Sequence, residues 1–373
     1  MKFSDVLDIK NGRNQKQVEN PNGQYPIYGS GGVMGWADSY ICEAHTVVIG
    51  RKGTINNPIY VDRPFWNVDT AFGLVANRNI LLPKYLFYFC CNFDFEKLNT
   101  TVTIPSLTKS NLLNIEIDVP SLEIQGQVVD RLDKIEDLIK LRKEQLRQFD
   151  QIVKSRFIEL FGDPIENPLG WKKRYLLEMG YCKNGMNFHT GDFGIDLHCL
   201  GVGDFKNLSV ISNTESLPTI SLNELPQTEY MLRDGDIVFV RSNGNKALVG
   251  RCVIVYPGDT PTTYSGFCIR YRLTDESLNP NYLLRVLKTE SMRKKMAGRG
   301  ANIQNLNQQI LASLAIPLPP IELQNEYAAF VEQTDKLKFA VQKAVDLQIT
   351  LILNLVKHPW EHWASVSNKG VKL

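Results

Sequence analysis

The sequence predicts an α+β protein with two similar globular domains, related by a pseudo-two-fold axis and separated by a pair of long antiparallel coiled-coil helices. An internal duplication is the first observation behind this prediction. Residues 10–14 (KNGRN) return as residues 183–187 (KNGMN), and residues 83–86 (PKYL) return as residues 280–283 (PNYL). Across residues 104–125, matching side chains recur at a constant offset of 199 residues. A repeat of this length predicts two domains of the same fold, rather than a solenoid.

Each copy begins with a strand-rich part. Residues 46–49 (TVVI) read as a buried strand that enters a tight loop at residues 50–53 (GRKG). In the second copy, residues 236–240 (DIVFV) are followed by the loop 241–246 (RSNGNK). Short helices are predicted afterwards, over residues 84–92 and 281–288.

A long amphipathic helix follows each domain, and its heptad repeat is the second observation behind the predicted fold. The apolar seam of the first helix is Leu132, Ile139, Leu146, Val153 and Leu160, with Val128, Ile135 and Phe149 as companions. The corresponding seam of the second helix is Phe330, Leu337, Ala344 and Leu351, alternating with Tyr327, Thr334, Val341, Gln348 and Leu355. Sustained heptads are typical of coiled coils.

We therefore expect the two helices to bury their seams on each other and to act as a rigid spacer between the domains. The alternative is that each helix folds back on its own domain. The predicted order is a first domain over residues 1–122, a central helix over 123–161, a second domain over 162–321, a C-terminal helix over 322–357 and a tail over 358–373.

Composition is that of an ordinary globular protein, with 43% hydrophobic and 22% charged residues in a chain of 373. The seven cysteines contain no C-x-x-C pair, which predicts reduced thiols in a cytoplasmic protein. No signal peptide and no membrane-spanning run is evident. The net charge of +2 does not itself indicate a nucleic-acid partner. The segment from Arg285 to Arg299, however, contains six basic residues and one acidic residue.

No convincing catalytic or metal-binding constellation is present. Residues 56–60 (NNPIY) differ from the Asn-Pro-Pro-Tyr motif of amino-methyltransferases, and the glycine-rich residues 29–35 fit neither a dinucleotide loop nor a P-loop. His358 and His362 are four residues apart, but Pro359 between them spoils a helical metal site. The sequence therefore predicts a protein without catalytic residues and without a metal of its own.

Several segments resemble a known family. Residues 117–125 (IDVPSLEIQ) and 316–324 (IPLPPIELQ) resemble the Ile-Pro-Leu-Pro-Pro-x-x-x-Gln motif at the entry of that family's spacer helices. Residues 161–164 with 167–171 resemble its junction into the second domain, and residues 25–29 with 35–36 resemble the opening of its recognition domains. On these segments, the chain resembles the specificity subunit of a type I restriction-modification system.

This resemblance implies that each domain is a target recognition domain that reads one half of a split, asymmetric DNA sequence. The helices would fix the gap between the halves and dock two copies of an adenine-N6 methyltransferase subunit, through which restriction subunits would join. The chain itself would bind no cofactor, because S-adenosylmethionine, ATP and magnesium would be held by the partners. The alternative is a duplicated protein–protein adaptor that does not bind DNA, which the near-zero net charge favours.

Candidate DNA contacts come from residue types that pair with base edges or phosphates. The loops at the same place in each repeat supply Arg51 and Lys52 in the first copy, and Arg241, Asn243, Asn245 and Lys246 in the second. Candidates for phosphate contacts near the end of the second copy are Arg293, Lys294, Lys295 and Arg299. A further set is Lys10, Arg13 and Lys183, in the repeated Lys-Asn-Gly segments.

Overall fold

The computed structural model describes residues 1–99, 105–188, 191, 193–205, 208–297 and 305–357, with backbone only at residues 355–357. The chain divides into two compact units. The first contains Met1–Gln145 and Val341–Leu373, and the second contains Leu146–Ala340. Within the described ranges, none of the helices combines the length and the apolar character needed to cross a bilayer.

The first unit contains a four-stranded antiparallel sheet and a three-stranded sheet. Its elements are α1 (Phe3–Val6), β1 (Leu7–Asn11), β2 (Tyr25–Gly29), β3 (Gly32–Ala37), β4 (Thr46–Gly50), β5 (Ile59–Val61), β6 (Trp66–Asn67), β7 (Ala71–Ala76), α2 (Pro83–Asn92), α3 (Lys109–Leu113) and the start of α4 (Leu122–Phe161). The strand orders are β1-β7-β4-β5 and β3-β2-β6, and β2 runs parallel to β6. Every residue of β4 is buried, which explains its unbroken apolar sequence.

The second unit contains three sheets, the end of α4 and the start of the second long helix. Its elements are β8 (Lys173–Tyr175), β9 (Gly180–Asn184), β10 (Ile195–Leu200), β11 (Val210–Ile211), β12 (Thr219–Leu222), β13 (Asp236–Val240), β14 (Cys252–Val255), β15 (Thr262–Tyr264), β16 (Cys268–Leu273), α5 (Pro280–Lys288), α6 (Glu290–Ala297), α7 (Gln308–Ala312), β17 (Ala315–Pro317) and the start of α8 (Ile321–Lys357).

The two units repeat one strand order. In the second unit, β9-β16-β13-β14 answers β1-β7-β4-β5, and β12-β10-β15 answers β3-β2-β6 with the same parallel pair. The antiparallel pair β8–β17 corresponds to a single bridge between Lys2 and Glu116 in the first unit. Strand β11 and helix α6 are additions of the second unit. The prediction of two similar α+β domains is therefore confirmed.

A buried glutamine joins the start of each long helix to its domain. Gln125 and Gln324 are both fully buried, and each accepts a hydrogen bond from the residue that caps α2 or α5. The partners of Gln125 are Leu82 N (2.8 Å), Ile80 O (2.8 Å) and Pro120 O (2.8 Å), and those of Gln324 are Asn279 N (2.9 Å), Ser277 O (3.1 Å) and Pro319 O (2.8 Å). The repeated glutamine of the helix-entry motif is thus a three-bond clamp between helix and domain.

Helix α4 follows the predicted heptad register over most of its length. The predicted seam positions Val128, Leu132, Ile139 and Val153 are all less than 9% exposed, and the other four are half-buried. Near the end of the helix, Phe157 and Phe161 are buried outside the predicted seam. The helix ends at Phe161, and Gly162 follows with φ of +72°, a left-handed conformation that glycine adopts without steric cost.

Helix α8 corrects one of its two predicted seams. Tyr327 and Thr334 are buried as predicted, but Leu337 is 56% exposed and Leu351 is 41% exposed. The second seam lies one residue later, at Gln324, Val331, Lys338, Val345 and Ile352. The register was hidden because a lysine occupies a seam position, from which its Nζ reaches Asp150 Oδ1 of α4 at 2.6 Å.

Within the second unit, the two helices pack antiparallel. Near the end of α4, the rings of Phe157 and Phe161 lie 5.6 Å and 5.4 Å from that of Tyr327, close to the start of α8. Tyr327 donates a hydrogen bond to the carbonyl of Val153 (3.1 Å). Moving back along α4 to Asp150 brings the partner forward along α8 to Lys338, which is the antiparallel direction predicted.

In the first unit, the last turns of α8 pack on the domain core. Ile352 contacts the buried cluster that includes Val128 and Leu132 of α4, together with strands of the first domain. The second unit places Phe161 of α4 against Tyr282 of α5, with ring centroids 4.7 Å apart. Within each unit, the start of one long helix and the end of the other therefore pack on the same core, which differs from the alternative that each helix folds back on its own domain.

Candidate nucleic-acid interface

The arginine that follows β4 and the arginine that follows β13 occupy equivalent positions. The N–H of Arg51 donates to Thr70 O, and the N–H of Arg241 donates to Phe267 O, both at 2.8 Å. Both side chains also turn to the carbonyl one residue earlier. Nη1 lies 3.5 Å from Asp69 O in the first unit and 3.4 Å from Gly266 O in the second. The predicted correspondence of these loops therefore extends to the arginine side chains.

We call residues 51–54 the first arginine loop and residues 241–247 the second arginine loop. A short segment after the domain's helices holds each one in place. Leu107 N–H donates to Arg51 O (2.9 Å), and Leu306 N–H donates to Arg241 O (2.7 Å). The segments 101–104 and 298–303, which the sequence aligns next to these contacts, lie outside the described residues, as does the candidate Arg299.

The repeated Lys-Asn-Gly segment has a structural reason. A Cβ atom on Gly12 would lie 1.8 Å from Val68 O, and one on Gly185 would lie 2.0 Å from Ser265 O. Only glycine permits this close approach of β1 or β9 to the neighbouring backbone. The repeat therefore preserves a backbone contact, which accounts for its glycine without a role in binding.

Two of the lysines in these segments are engaged inside their own domains. Lys10 Nζ lies 2.8 Å from Asp8 Oδ2, and Lys183 pairs with Glu229 while its Nζ lies 4.7 Å from the centroid of the Tyr230 ring. These carboxylates raise the pKa of both ammonium groups. The third candidate, Arg13, follows Gly12 and has an exposed side chain. Its backbone carbonyl accepts a hydrogen bond from the indole N–H of Trp66 (2.9 Å).

The asparagines of the second arginine loop shape it. Asn243 Oδ1 accepts from the N–H of Asn245 (2.8 Å), and Asn245 Oδ1 accepts from the N–H of Ala247 (3.1 Å). The loop is therefore a succession of side-chain-capped turns, which holds Arg241 and the exposed Lys246 on a defined backbone. The first arginine loop is shorter, with exposed Arg51 and Lys52 and a left-handed Gly53 (φ +79°).

An exposed aromatic side chain stands beside the second arginine loop. Phe267 is 61% exposed and helps to line a shallow cleft of about 350 Å³. The other lining residues are Ser242, Asn243, Gly244, Lys246 and Asn305. Sequence reasoning missed Phe267, whose equivalent in the first unit is the small polar Thr70. The sequence signal for it was a bulky apolar residue that follows Gly266 and directly precedes the buried strand β16.

The predicted basic cluster lies on α6 and separates into different environments. Lys294 is exposed and pairs with Glu290 at 2.6 Å, and Lys295 is exposed next to it. Arg293 is half-buried and turns to the second arginine loop, where its Nη2 donates to Ala247 O (3.3 Å). Among the described contacts of these three residues, that of Arg293 with Ala247 is the one that reaches the second arginine loop.

A buried network of charged side chains supports the second domain. None of its residues was among the predicted site residues. Arg272 binds Asp236 through two hydrogen bonds of 2.8 Å and 2.7 Å, and the carboxylate raises the pKa of this guanidinium. Arg270 is fully buried, and its Nη1 lies 4.0 Å from the same carboxylate.

In the described part of the chain, no three His, Cys, Asp or Glu side chains lie close enough together to bind a metal ion. All seven cysteines are unpaired thiols, and burial raises the pKa of Cys42 to about 12.

Comparison with known proteins gives a consistent result. The family model described as type I restriction modification DNA specificity domain matches residues 1–149 and 171–351. The StySPI specificity subunit of Salmonella potsdam is 24% identical over 332 residues, covering 83% of this chain and 70% of the relative. The EcoKI specificity subunit of Escherichia coli K12 is 23% identical over 338 residues, with the same coverage of 83% and 70%.

Solved structures agree on the fold. The S subunit of a type I restriction-modification system from M. genitalium superposes with a TM-score of 0.57 at 16% identity, covering 96% of this chain and 94% of the other. A second structure, solved to explain complex assembly and conformational transition of the type I system, gives a TM-score of 0.61 at 17% identity and covers 96% of both chains. Because the family model matches most of both repeats, this chain belongs to the family of type I restriction-modification specificity subunits.

Proposed function

We propose that this chain reads a bipartite, asymmetric DNA sequence, with one half read by each domain. The equivalent placement of Arg51 and Arg241 is the observation that carries this proposal. Two copies of one scaffold present the same side chain at the same place, and arginine is the residue that most often pairs with guanine in the major groove. Both side chains reach solvent at least in part, on loops whose backbones are held by hydrogen bonds.

The differences around these arginines support an asymmetric target. The first arginine loop offers Lys52 and a glycine turn, whereas the second offers two asparagines, Lys246 and the neighbouring Phe267. Amide groups favour adenine edges, and an apolar ring favours the methyl group of thymine. Two domains with one fold and different contact groups therefore select two different words.

Partner subunits would supply the chemistry. We propose that helices α4 and α8 set the gap between the two words and dock two methyltransferase subunits, through which restriction subunits join. S-adenosylmethionine, ATP and magnesium would then be held by those partners, and adenine methylation and DNA cleavage would be activities of the complex. The structure of a similar chain was solved to explain complex assembly of a type I restriction-modification system, which supports a role for this chain as one subunit of a complex.

Selection from random duplex DNA tests the proposal directly. The full chain, alone and together with its methyltransferase subunit, is incubated with a random pool, and bound duplexes are sequenced. We expect two constant words separated by a gap of fixed length and variable sequence, with binding that weakens as salt rises. Enrichment of a single uninterrupted word would contradict the bipartite target, and absence of any salt-dependent binding would favour the protein adaptor.

A further inference from the structure

A basic cleft lies next to the second arginine loop, which contributes Ala247 to its lining. It has a volume of about 400 Å³, and three of its lining residues are cations: Arg251, Lys288 and Arg293. The remaining lining residues are Phe205, Leu208, Ala247, Cys252 and Val253. No acidic side chain is among the described residues that line it. A concave, partly apolar surface with convergent cations is suited to an anion.

Neutral oxygen atoms hold two of these cations. Lys288 Nζ donates to Ser209 Oγ at 2.8 Å and to Leu208 O at 3.1 Å. Arg293 Nη2 donates to Ala247 O, while its Nη1 is buried and has no hydrogen-bond partner among the described residues. These contacts fix the positions of both side chains without cancelling their charges.

The positive charges destabilise one another inside the cleft. Burial lowers the pKa of the Lys288 ammonium, and the neighbouring charges of Arg285, Arg251 and Arg293 lower it further. Burial also lowers the pKa of Arg293, and the charge of Arg251 contributes in the same direction. A bound anion would relieve this repulsion, because an opposite charge at short range stabilises the charged forms.

We propose that this cleft binds a phosphodiester group of the DNA backbone next to the half-site read by the second domain. The inference rests on the proposed DNA-reading function and names a contact for it. Ala247 belongs both to the cleft and to the second arginine loop, so a phosphate seated at Arg251 and Lys288 fixes the DNA relative to Arg241. Phosphate contacts of this kind set position and register, whereas base contacts select sequence.

The first domain lacks this cluster. The register of β5 on β4 places Asn57 where Arg251 lies in the second domain, and the offset between α2 and α5 places Cys91 at the position of Lys288. Two of the three cations are thus replaced by neutral residues, and the third, Arg293, lies on α6, which was added in the second unit. The phosphate contact is a property of the second domain alone.

Salt dependence of DNA binding tests this assignment. The variants are Arg251→Gln, Lys288→Gln and the double variant, each in the full chain with its methyltransferase subunit, and binding is measured on a duplex selected by the wild-type protein. We expect the double variant to lose roughly ten-fold in affinity equally on duplexes of different sequence, and its slope of log K against log salt to fall by about 1–2, because one contact contributes about 0.9. Arg293 is left intact because it also supports the loop.

Arg63→Gln is the matched control, since it removes one exposed positive charge of the first domain that pairs with Asp62 outside the cleft. Thermal unfolding of each variant identifies loss of folding, in which case the single variant that folds is used. If wild type binds DNA and the folded cleft variants keep its affinity and salt slope, the phosphate site is wrong while the proposed function stands. If wild type does not bind DNA, the proposed function fails first.

Calorimetry with inorganic phosphate separates a DNA phosphate from a free anion. We expect weak phosphate binding at most, since a single diester contact gains its strength from the rest of the duplex. Tight phosphate binding that the double variant abolishes, together with unchanged DNA affinity, would overturn the inference and assign the cleft to a free anion.

Discussion

The two domains of this chain share a strand order and differ in the groups around one equivalent arginine. The shared features belong to the scaffold: a glycine where strands approach closely, a glutamine side chain where a helix enters, and the hydrogen bonds that hold each arginine loop. The differing features are side chains at the surface, including Phe267 and the cations of the cleft. Divergence is thus concentrated where a ligand would be read, and the scaffold beneath it is retained.

The largest effect is expected at the two close-approach glycines. Gly12→Ala and Gly185→Ala should each cost about 3 kcal/mol of unfolding free energy, because a methyl group would lie within 2.0 Å of a carbonyl oxygen and the backbone must move. Urea denaturation measures both. Gly31→Ala is the control, since nothing lies within 4 Å of its added Cβ. If only one of the two substitutions lowered the unfolding free energy, the two glycines would not be structurally equivalent.

A slightly smaller loss is expected at the helix clamps. Gln125→Leu and Gln324→Leu should each destabilise the chain by about 2–3 kcal/mol, because each leaves a buried N–H and two carbonyls without their partner. Gln→Glu at the same sites keeps the shape but loses the donor. Equal stability of the leucine variants and wild type in chemical denaturation would show that the glutamines do not act as clamps.

How far the sequence could predict these features depends on their chemistry. The duplication was visible because both copies keep glycine, proline and glutamine in the same order, with the proline and glutamine of the helix-entry motif at a constant offset of 199 residues. The α4 seam was visible because most of its positions are apolar, although Arg142 and Arg156 interrupt it. The α8 register was not visible, since Lys338 fills a seam position and Leu337 beside it is exposed. Pairs such as Lys183 with Glu229 join residues far apart in the chain, so no local pattern reveals them.

Base reading sharpens the comparison of the two loops. Arg51→Ala should relax one word of the DNA target and Arg241→Ala the other, each with a loss of about 1–3 kcal/mol in discrimination at a single position. Selection from random duplexes with each variant gives the result. If both variants relax the same word, or neither changes a word, the equivalence of the arginines is structural and these residues do not read bases.

The smallest effect compares the two helices. Leu337→Gln in α8 should change the unfolding free energy by less than about 0.5 kcal/mol, because the side chain is 56% exposed. Leu132→Ala in α4 should cost about 2–5 kcal/mol at a fully buried seam position. Both residues carry the same apolar pattern in the sequence. A large loss at Leu337 in thermal or urea unfolding would restore the original α8 seam.

The last turns of α8 have a consequence for how the molecule is made. The first unit contains residues from both ends of the chain, and Ile352 lies against a core that is otherwise complete by residue 132. During synthesis the first domain leaves the ribosome early, whereas its closing segment is translated more than 200 residues later. The nascent domain therefore lacks the contact of Ile352 until α8 has been translated, and a chain that stops before α8 leaves this part of its core without that cover.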